Sequence, residues 1–186
     1  MKRTPLYGRH VALGAKMTGF GGFEMPLEYA GITPEHLAVR QSAGVFDVSH
    51  MGEFVIEGPD AMVAVNHLVT NIITEDLDKV TYALMTDHDG KVVDDLLVYV
   101  TAPDTVVLVV NAGNIDKDFR WVKQQLSGMD VNVRDISDDM AQIAIQGPDA
   151  LSLVKDIVSY DPSDMPFMTW KTLGEGPSRI FLSRTG

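Results

Sequence analysis

IEGPDAMVAVNHLV (56–69) and IQGPDALSLVKDIV (145–158) are the two stretches from which the fold can be read. Each leaves an apolar, strand-like run, passes through Gly-Pro-Asp-Ala, and goes on with apolar residues at helical spacing, as at Ala61, Val65 and Leu68 in the first. Proline in a first helical turn gives up no needed N–H, and an Asp there meets the positive end of the helix dipole. The tetrapeptide therefore reads as helix initiation and not as a ligand site. Because the match includes the strand before and the helix after, it predicts an α+β fold. Two related units are expected, each an antiparallel sheet covered by helices.

The neighbouring segments extend that pattern. FDVSHMGEFVIEG (46–58) alternates well enough for one or two strands. KVTYALMTDHDGKVVDDLLVYV (79–100) reads as two strands joined through Asp89-Gly90, a pairing that favours a type I′ hairpin turn. DTVVLVVN (104–111) is a third strand. NIDKDFRWVKQQLSG (114–128) is a helix with Ile115, Phe119, Val122 and Leu126 on one stripe and Gly128 at its end. Upstream, GITPEHLAVRQSAG (31–44) is a helix with Thr33 as the expected N-cap and Pro34 in the first turn. TGFGGFEMP (18–26) has clustered glycines, but no strand precedes them and no phosphate-loop Lys-Ser/Thr follows, so a tight loop is expected.

Composition narrows the function classes. The 186 residues, 45% of them hydrophobic, suffice for a real core. Fifteen Lys and Arg against 26 Asp and Glu give a formal net charge of −11, which repels nucleic acid and anionic membrane surfaces. No cysteine is present, so thiol catalysis and disulfides are excluded. Neither a signal-peptide core nor a stretch of membrane-spanning length occurs, and the reading is a cytoplasmic protein.

The chemically unusual feature is GKVVDDLLVYV (90–100), in which two adjacent carboxylates sit in an apolar, β-branched run. Successive strand residues face opposite ways, so Asp94 sides with Val92, Leu96 and Val98, and Asp95 with Val93, Leu97 and Tyr99. A carboxylate in apolar surroundings costs several kcal/mol, roughly, unless it is hydrogen-bonded, neutralised or wet. At least one of the pair needs an explanation. DHDG (87–90) lacks the EF-hand register and reads as an acidic hairpin tip, so no metal site is expected. His10, His36, His50, His67 and His88 show no metal spacing, and His50 is expected to be buried and hydrogen-bonded.

Five collinear motifs supply more: TPLYGRHVALGAKMTGFGGFEMPLEY (4–29), HLAVRQSAGVFDVSHMGEF (36–54), GKVVDDLLVYV, VVNAGNIDKDF (109–119) and AIQGPDA (144–150). In that order they resemble the glycine-cleavage T-protein family, aminomethyltransferases that use tetrahydrofolate. Family members are longer, so the resemblance implies the N-terminal part of such a protein. It further implies a three-domain fold around a folate channel, with a discontinuous first domain (1–52 plus 139–186) and an inserted second domain (53–138). By resemblance, Asp95 is the catalytic residue, placed to take a proton from the reacting folate nitrogen, and Asp94 is the structural acid. Met51, Tyr82, Val109, Asn111 and Phe167 match positions that line the folate. Tyr82 and Phe167 would offer flat apolar surface, and the Asn111 amide both a donor and an acceptor. The implied partner is the lipoyl-bearing carrier, or H-protein, and the piece by itself is expected to self-associate. Two other functions stay open: a folate-dependent demethylase of another methyl donor, and a non-catalytic folate-binding protein of the same fold.

Overall fold

Both Gly-Pro-Asp-Ala segments begin with a glycine in a backbone conformation that side chains avoid, φ +141° at Gly58 and +123° at Gly147. A Cβ at either position would collide with a backbone carbonyl, that of Asp130 for Gly58 and that of Ser42 for Gly147. The next Asp ties to the same loop in each case. Asp60 and Asp149 donate their amides to those two carbonyls. The Asp60 carboxylate accepts the Asp130 amide at 2.8 Å, and the Asp149 carboxylate accepts the Ser42 hydroxyl at 2.8 Å.

The computed structural model describes residues 1–176 and 179–186. In chain order the first elements are β1 (Lys2–Arg3), α1 (Tyr7–Ala12), β2 (Lys16–Phe20), β3 (Phe23–Glu28), α2 (Ile32–Gln41), β4 (Gly44–Asp47), β5 (Gly52–Glu57) and α3 (Ala61–Leu68). Then come β6 (Val80–Thr86), β7 (Val92–Ala102), β8 (Thr105–Val110), α4 (Ile115–Gln125), β9 (Asn132–Asp135), β10 (Ile143–Gln146), α5 (Ala150–Val158), β11 (Thr169–Leu173) and β12 (Ile180–Arg184). The repeat now has a structural definition. Helix, loop and strand (α4–β9, or α2–β4) pair antiparallel with strand, Gly-Pro-Asp and helix (β5–α3, or β10–α5).

The chain divides into two compact units, Met1–His50 with Ala141–Asp164 and Met51–Met140 with Met165–Gly186. The hairpin β11–β12 thus groups with the second unit, although the sequence reading gave residues 139–186 to the first domain. Its attachment is specific. The Val80 amide donates to the Met168 carbonyl, the Trp170 amide donates to the Asp78 carbonyl, and the Trp170 side chain is buried with Tyr99, Val80 and Val109.

The second unit holds a five-stranded antiparallel sheet in the order β6-β7-β8-β5-β9. One face carries Phe54, Ile56, Ala83, Met85, Leu96, Val98 and Leu108, packed against Ala61, Ala64 and Val65 of α3 and Val122 of α4. This is the main core, and the α4 stripe read from the sequence supplies its lid. On the opposite face Trp170 and Met168 cover Tyr99, Val80 and Val107, while the end bearing Tyr82, Leu84 and Asp95 stays exposed.

In the first unit β1-β3-β2 form one small sheet and β10-β4 another. Gly21 and Gly22, at φ +55° and +87°, make the tight turn between β2 and β3, so the primed geometry expected at Asp89-Gly90 occurs here instead. At 87–91 only Gly90 has positive φ. The Asp87 carboxylate accepts the amides of Asp89 and Lys91, making a three-residue loop with an Asx turn. Thr33, the expected N-cap, lies inside α2. Gly31 precedes the helix, and the Glu35 carboxylate takes the amides of Tyr29 at 2.7 Å and Gly31 at 2.8 Å. Buried His10 bridges the Tyr29 hydroxyl at 2.7 Å and the Asp47 carboxylate at 2.8 Å, and Thr4 donates to the same carboxylate at 2.6 Å. Among the described residues no helix is long and apolar enough to cross a membrane.

Candidate functional site

Sheet register assembles the site. Glu53 pairs with Val109, Val109 with Leu97 and Leu97 with Tyr82, so these four form one row across a single face. Asp95 pairs with Leu84, and Asn111 follows the last residue of β8, so the adjacent row is Met51, Asn111, Asp95 and Leu84. Five of the six residues expected at a folate site therefore share one patch: Met51, Tyr82, Asp95, Val109 and Asn111. Phe167 stands apart from them on the segment before β11. It is 66% exposed, and its neighbours Met168 and Trp170 are the residues that pack on the sheet.

The two acids of β7 have opposite environments. Asp95 is exposed and hydrogen-bonded at both oxygens: Tyr82 Oη donates to Oδ2 and Asn111 Nδ2 to Oδ1, each at 3.0 Å. The carboxylate expected in apolar surroundings is thus held open to solvent between two donors. The bond to Asp95 raises the pKa of the Tyr82 phenol, because the proton it donates is held by the neighbouring charge. Asn111 Nδ2 also donates to Asp94 Oδ1 and to the Asp95 carbonyl. Its donor capacity is therefore already engaged inside the protein. What Asn111 keeps for a ligand is the carbonyl oxygen of its side chain.

Asp94 points into the core and is 4% exposed. It accepts the Asn111 amide at 3.0 Å, Asn111 Nδ2 at 3.0 Å and Asn114 Nδ2 at 2.6 Å. Fully buried Asp118 of α4 lies beside it. Among the described residues neither Asp118 oxygen receives an N–H or hydroxyl donor within hydrogen-bond distance. Its hydrogen bond to Asp94 therefore exists only if one of the two acids carries a proton. Burial, reinforced by the charge of Asp94, pushes the Asp118 pKa up to about 8, with Lys117 opposing at 3.7 Å. For Asp94 burial alone would do the same, but bonds from Asp118, Asn111 and Asn114 outweigh it and leave its pKa below the ordinary value. With three N–H donors converging on Asp94, burial and the neighbouring charge favour the protonated form of Asp118 and the charged form of Asp94.

Glu53 escaped the sequence reading. It is 4% exposed on the site face, and burial, with the charge of Asp135 adding to it, raises its pKa to about 7. The signal was present in SHMGEF, since Glu53 shares the strand face of Met51. Asp118 was legible too, lying three residues after Ile115 and four before Val122 on the apolar stripe. His50 differs from expectation. Its Nδ1 is buried without a hydrogen-bond partner among the described residues, and the ring packs edge-on against Phe20 and Phe23. Burial, opposed by Asp47, lowers its pKa.

The family model of the GCVT N-terminal domain matches residues 6–186. The chain belongs to this family. A curated aminomethyltransferase of Moorella thermoacetica is 48% identical over 187 aligned positions, covering 100% of this chain and 51% of that protein. An aminomethyltransferase of Thermotoga maritima is 44% identical with the same coverage. The chain thus spans about half the length of the curated relatives it matches. Among solved structures, the glycine cleavage system aminomethyltransferase T of Bartonella henselae superposes with a TM-score of 0.84 at 31% identity, over 91% of this chain and 46% of that one. A heterotetrameric sarcosine oxidase of Corynebacterium shares the fold at a TM-score of 0.63 and 15% identity. The GCVT N-terminal domain therefore has the T-protein-like α+β architecture expected from the sequence.

Proposed function

We propose that this GCVT-family chain carries the folate-facing part of an aminomethyltransferase, which moves a methylene group from an S-aminomethyl-dihydrolipoyl carrier to tetrahydrofolate with release of ammonia. The observation that carries the reading is the placement of Asp95, an exposed carboxylate fixed by Tyr82 and Asn111 on an open sheet face. Val109 and Leu97 give that face an apolar floor and Tyr82 an exposed ring, which suits a flat heterocycle. Tetrahydrofolate supplies the nitrogen that takes up the methylene. Asp95 accepts the proton lost there at its carboxylate, while Tyr82 and Asn111 hold the oxygens in place and Met51 borders the patch. Phe167 would add an aromatic surface from the segment before β11.

In this reading the two compact units are the first two of three domains, the donor is a lipoyl-bearing H-protein, and the enzyme works in the cytoplasm. The names of the relatives support the reaction, and the open face supports the folate. The test is ammonia release by the complete protein from an aminomethylated carrier, with and without tetrahydrofolate. Release that needs both carrier and tetrahydrofolate is expected. Turnover of an N-methyl or sulfonium donor without the carrier would overturn the reaction in favour of a demethylase, and folate binding without turnover would reduce the protein to a folate-binding one.

A further inference from the structure

Glu53 poses a problem that the proposed reaction leaves unsolved. Its backbone amide donates to Ser137 Oγ at 2.9 Å and its carbonyl accepts the Ile136 amide, so the residue's position is fixed. Its carboxyl group, by contrast, takes no hydrogen bond and no ion pair among the described residues, and the one charge acting on it is that of Asp135, of like sign. Asp135 spends its own carboxylate on the amide and hydroxyl of Ser137. At 4% exposure Glu53 leaves its carboxyl only a sliver of solvent in place of a protein donor, so it is costlier there than a glutamine or an aliphatic residue in the same strand. Such groups persist where something outside the fold completes them.

Register says where the missing donor would come from. Glu53 shares a face with Val109, Leu97 and Tyr82. Asp95 lies two strands across and one row along, which by sheet spacings puts the two Cα atoms about 12 Å apart. Between them lie the apolar side chain of Val109 and the carbonyl end of Asn111. A fused two-ring heterocycle lying flat on that floor, hydrogen-bonded at both ends, spans a separation of this order.

We infer that Glu53 is a ligand-contacting residue of this face, its carboxylate accepting hydrogen bonds from the N–H-bearing edge of the bound heterocycle at the end remote from Asp95. The inference rests on the reading that the face takes a folate. Its raised pKa fits a carboxyl that waits for a donor, since N–H groups arriving with a ligand stabilise the charged form.

The test uses the complete protein, wild type and Glu53→Gln, with tetrahydrofolate titrated calorimetrically and thermal melts recorded without ligand. Glutamine keeps the shape and removes the charge. The variant should bind tetrahydrofolate roughly 10- to 100-fold more weakly, the loss of a hydrogen bond to a charged group, and should melt no lower than wild type. Equal affinity overturns the inference, and so does a fall in the melting temperature of the ligand-free variant, which would mark the carboxylate as structural. If the wild type itself fails to bind tetrahydrofolate, the folate reading falls and the inference with it. Wild-type binding that the variant retains removes only the role of Glu53.

Discussion

Asp94 and Asp95 are joined by one amide, that of Asn111, which reaches both carboxylates through the end of the sheet. That link divides their roles. Asp95→Asn in the complete protein is expected to lower aminomethyl transfer by about 10²- to 10⁴-fold with little change in stability, because its acceptor oxygens face solvent and ligand. Asp94→Asn should instead cost about 2–4 kcal/mol of stability, since it sets a buried amide against Asn111 and Asn114 and leaves Asp118 without its acceptor. Activity assays and urea melts of both variants check the division, and a larger stability loss at Asp95 would reverse it. Asp118 carries a pH signature. Its folded-state pKa of about 8 lies above an unfolded value of about 3.9, so between those limits the native protein holds a proton that the unfolded chain has released. Stability must therefore fall as pH rises through that window, by at most about 1.4 kcal/mol per pH unit from this group. Asp118→Asn removes the titration, and the variant-minus-wild-type stability difference should grow from pH 5 to about pH 8. A flat difference would mean that Asp118 does not hold the proton. Strand alternation made the division between Asp94 and Asp95 legible in the sequence. The Asn111 bridge was not legible, because it depends on which strand lies beside β7.

At the scale of elements, what sequence could supply was local. Helix α4, the strands from 80 to 110 and the repeated Gly-Pro-Asp helix starts follow from periodicity and turn chemistry. Turn types did not follow, because the Asp87 side chain competes for the amides of its own loop, and Gly21-Gly22 had no flanking pattern that marked them as a hairpin. The placement of β11–β12 with the second unit rests on long-range burial of Trp170, which no local signal carries. The glycines of the repeat give a direct test. At Gly58 a side chain meets both a positive φ and the Asp130 carbonyl, so Gly58→Ala should cost about 2–4 kcal/mol. At Gly90 φ is +79° but the space is open, and Gly90→Ala should cost only about 1 kcal/mol. Urea midpoints of the two variants decide it. Equal losses would mean that backbone conformation, and not the close approach to the neighbouring loop, makes Gly58 necessary.

For the whole molecule, the two repeats reach different ends. In the second unit the β5–β9 pair is extended by β8, β7 and β6 into a sheet with a buried face. In the first unit the corresponding β10–β4 pair has no further strand among the described residues. Two strands alone are marginal, and their unpaired edges invite another chain. Apolar side chains lie open on and beside this pair: Val45 is 60% exposed, Phe46 44%, Ile143 52% and, on α5, Ile157 60%. Neither α2 nor α5 contributes a buried residue. Residues 1–186 by themselves are therefore expected to self-associate through this unit, burying surface that monomers rarely leave open. The net charge of −11 opposes association at low ionic strength, so the effect should strengthen as salt screens it, between about 0.02 and 0.5 M. Light scattering should report a mass that rises above 20.4 kDa with salt, and Phe46→Ser combined with Ile157→Lys should suppress the rise. A particle of 20.4 kDa at every salt concentration would show that the open pair and its apolar residues are stable in water as they stand.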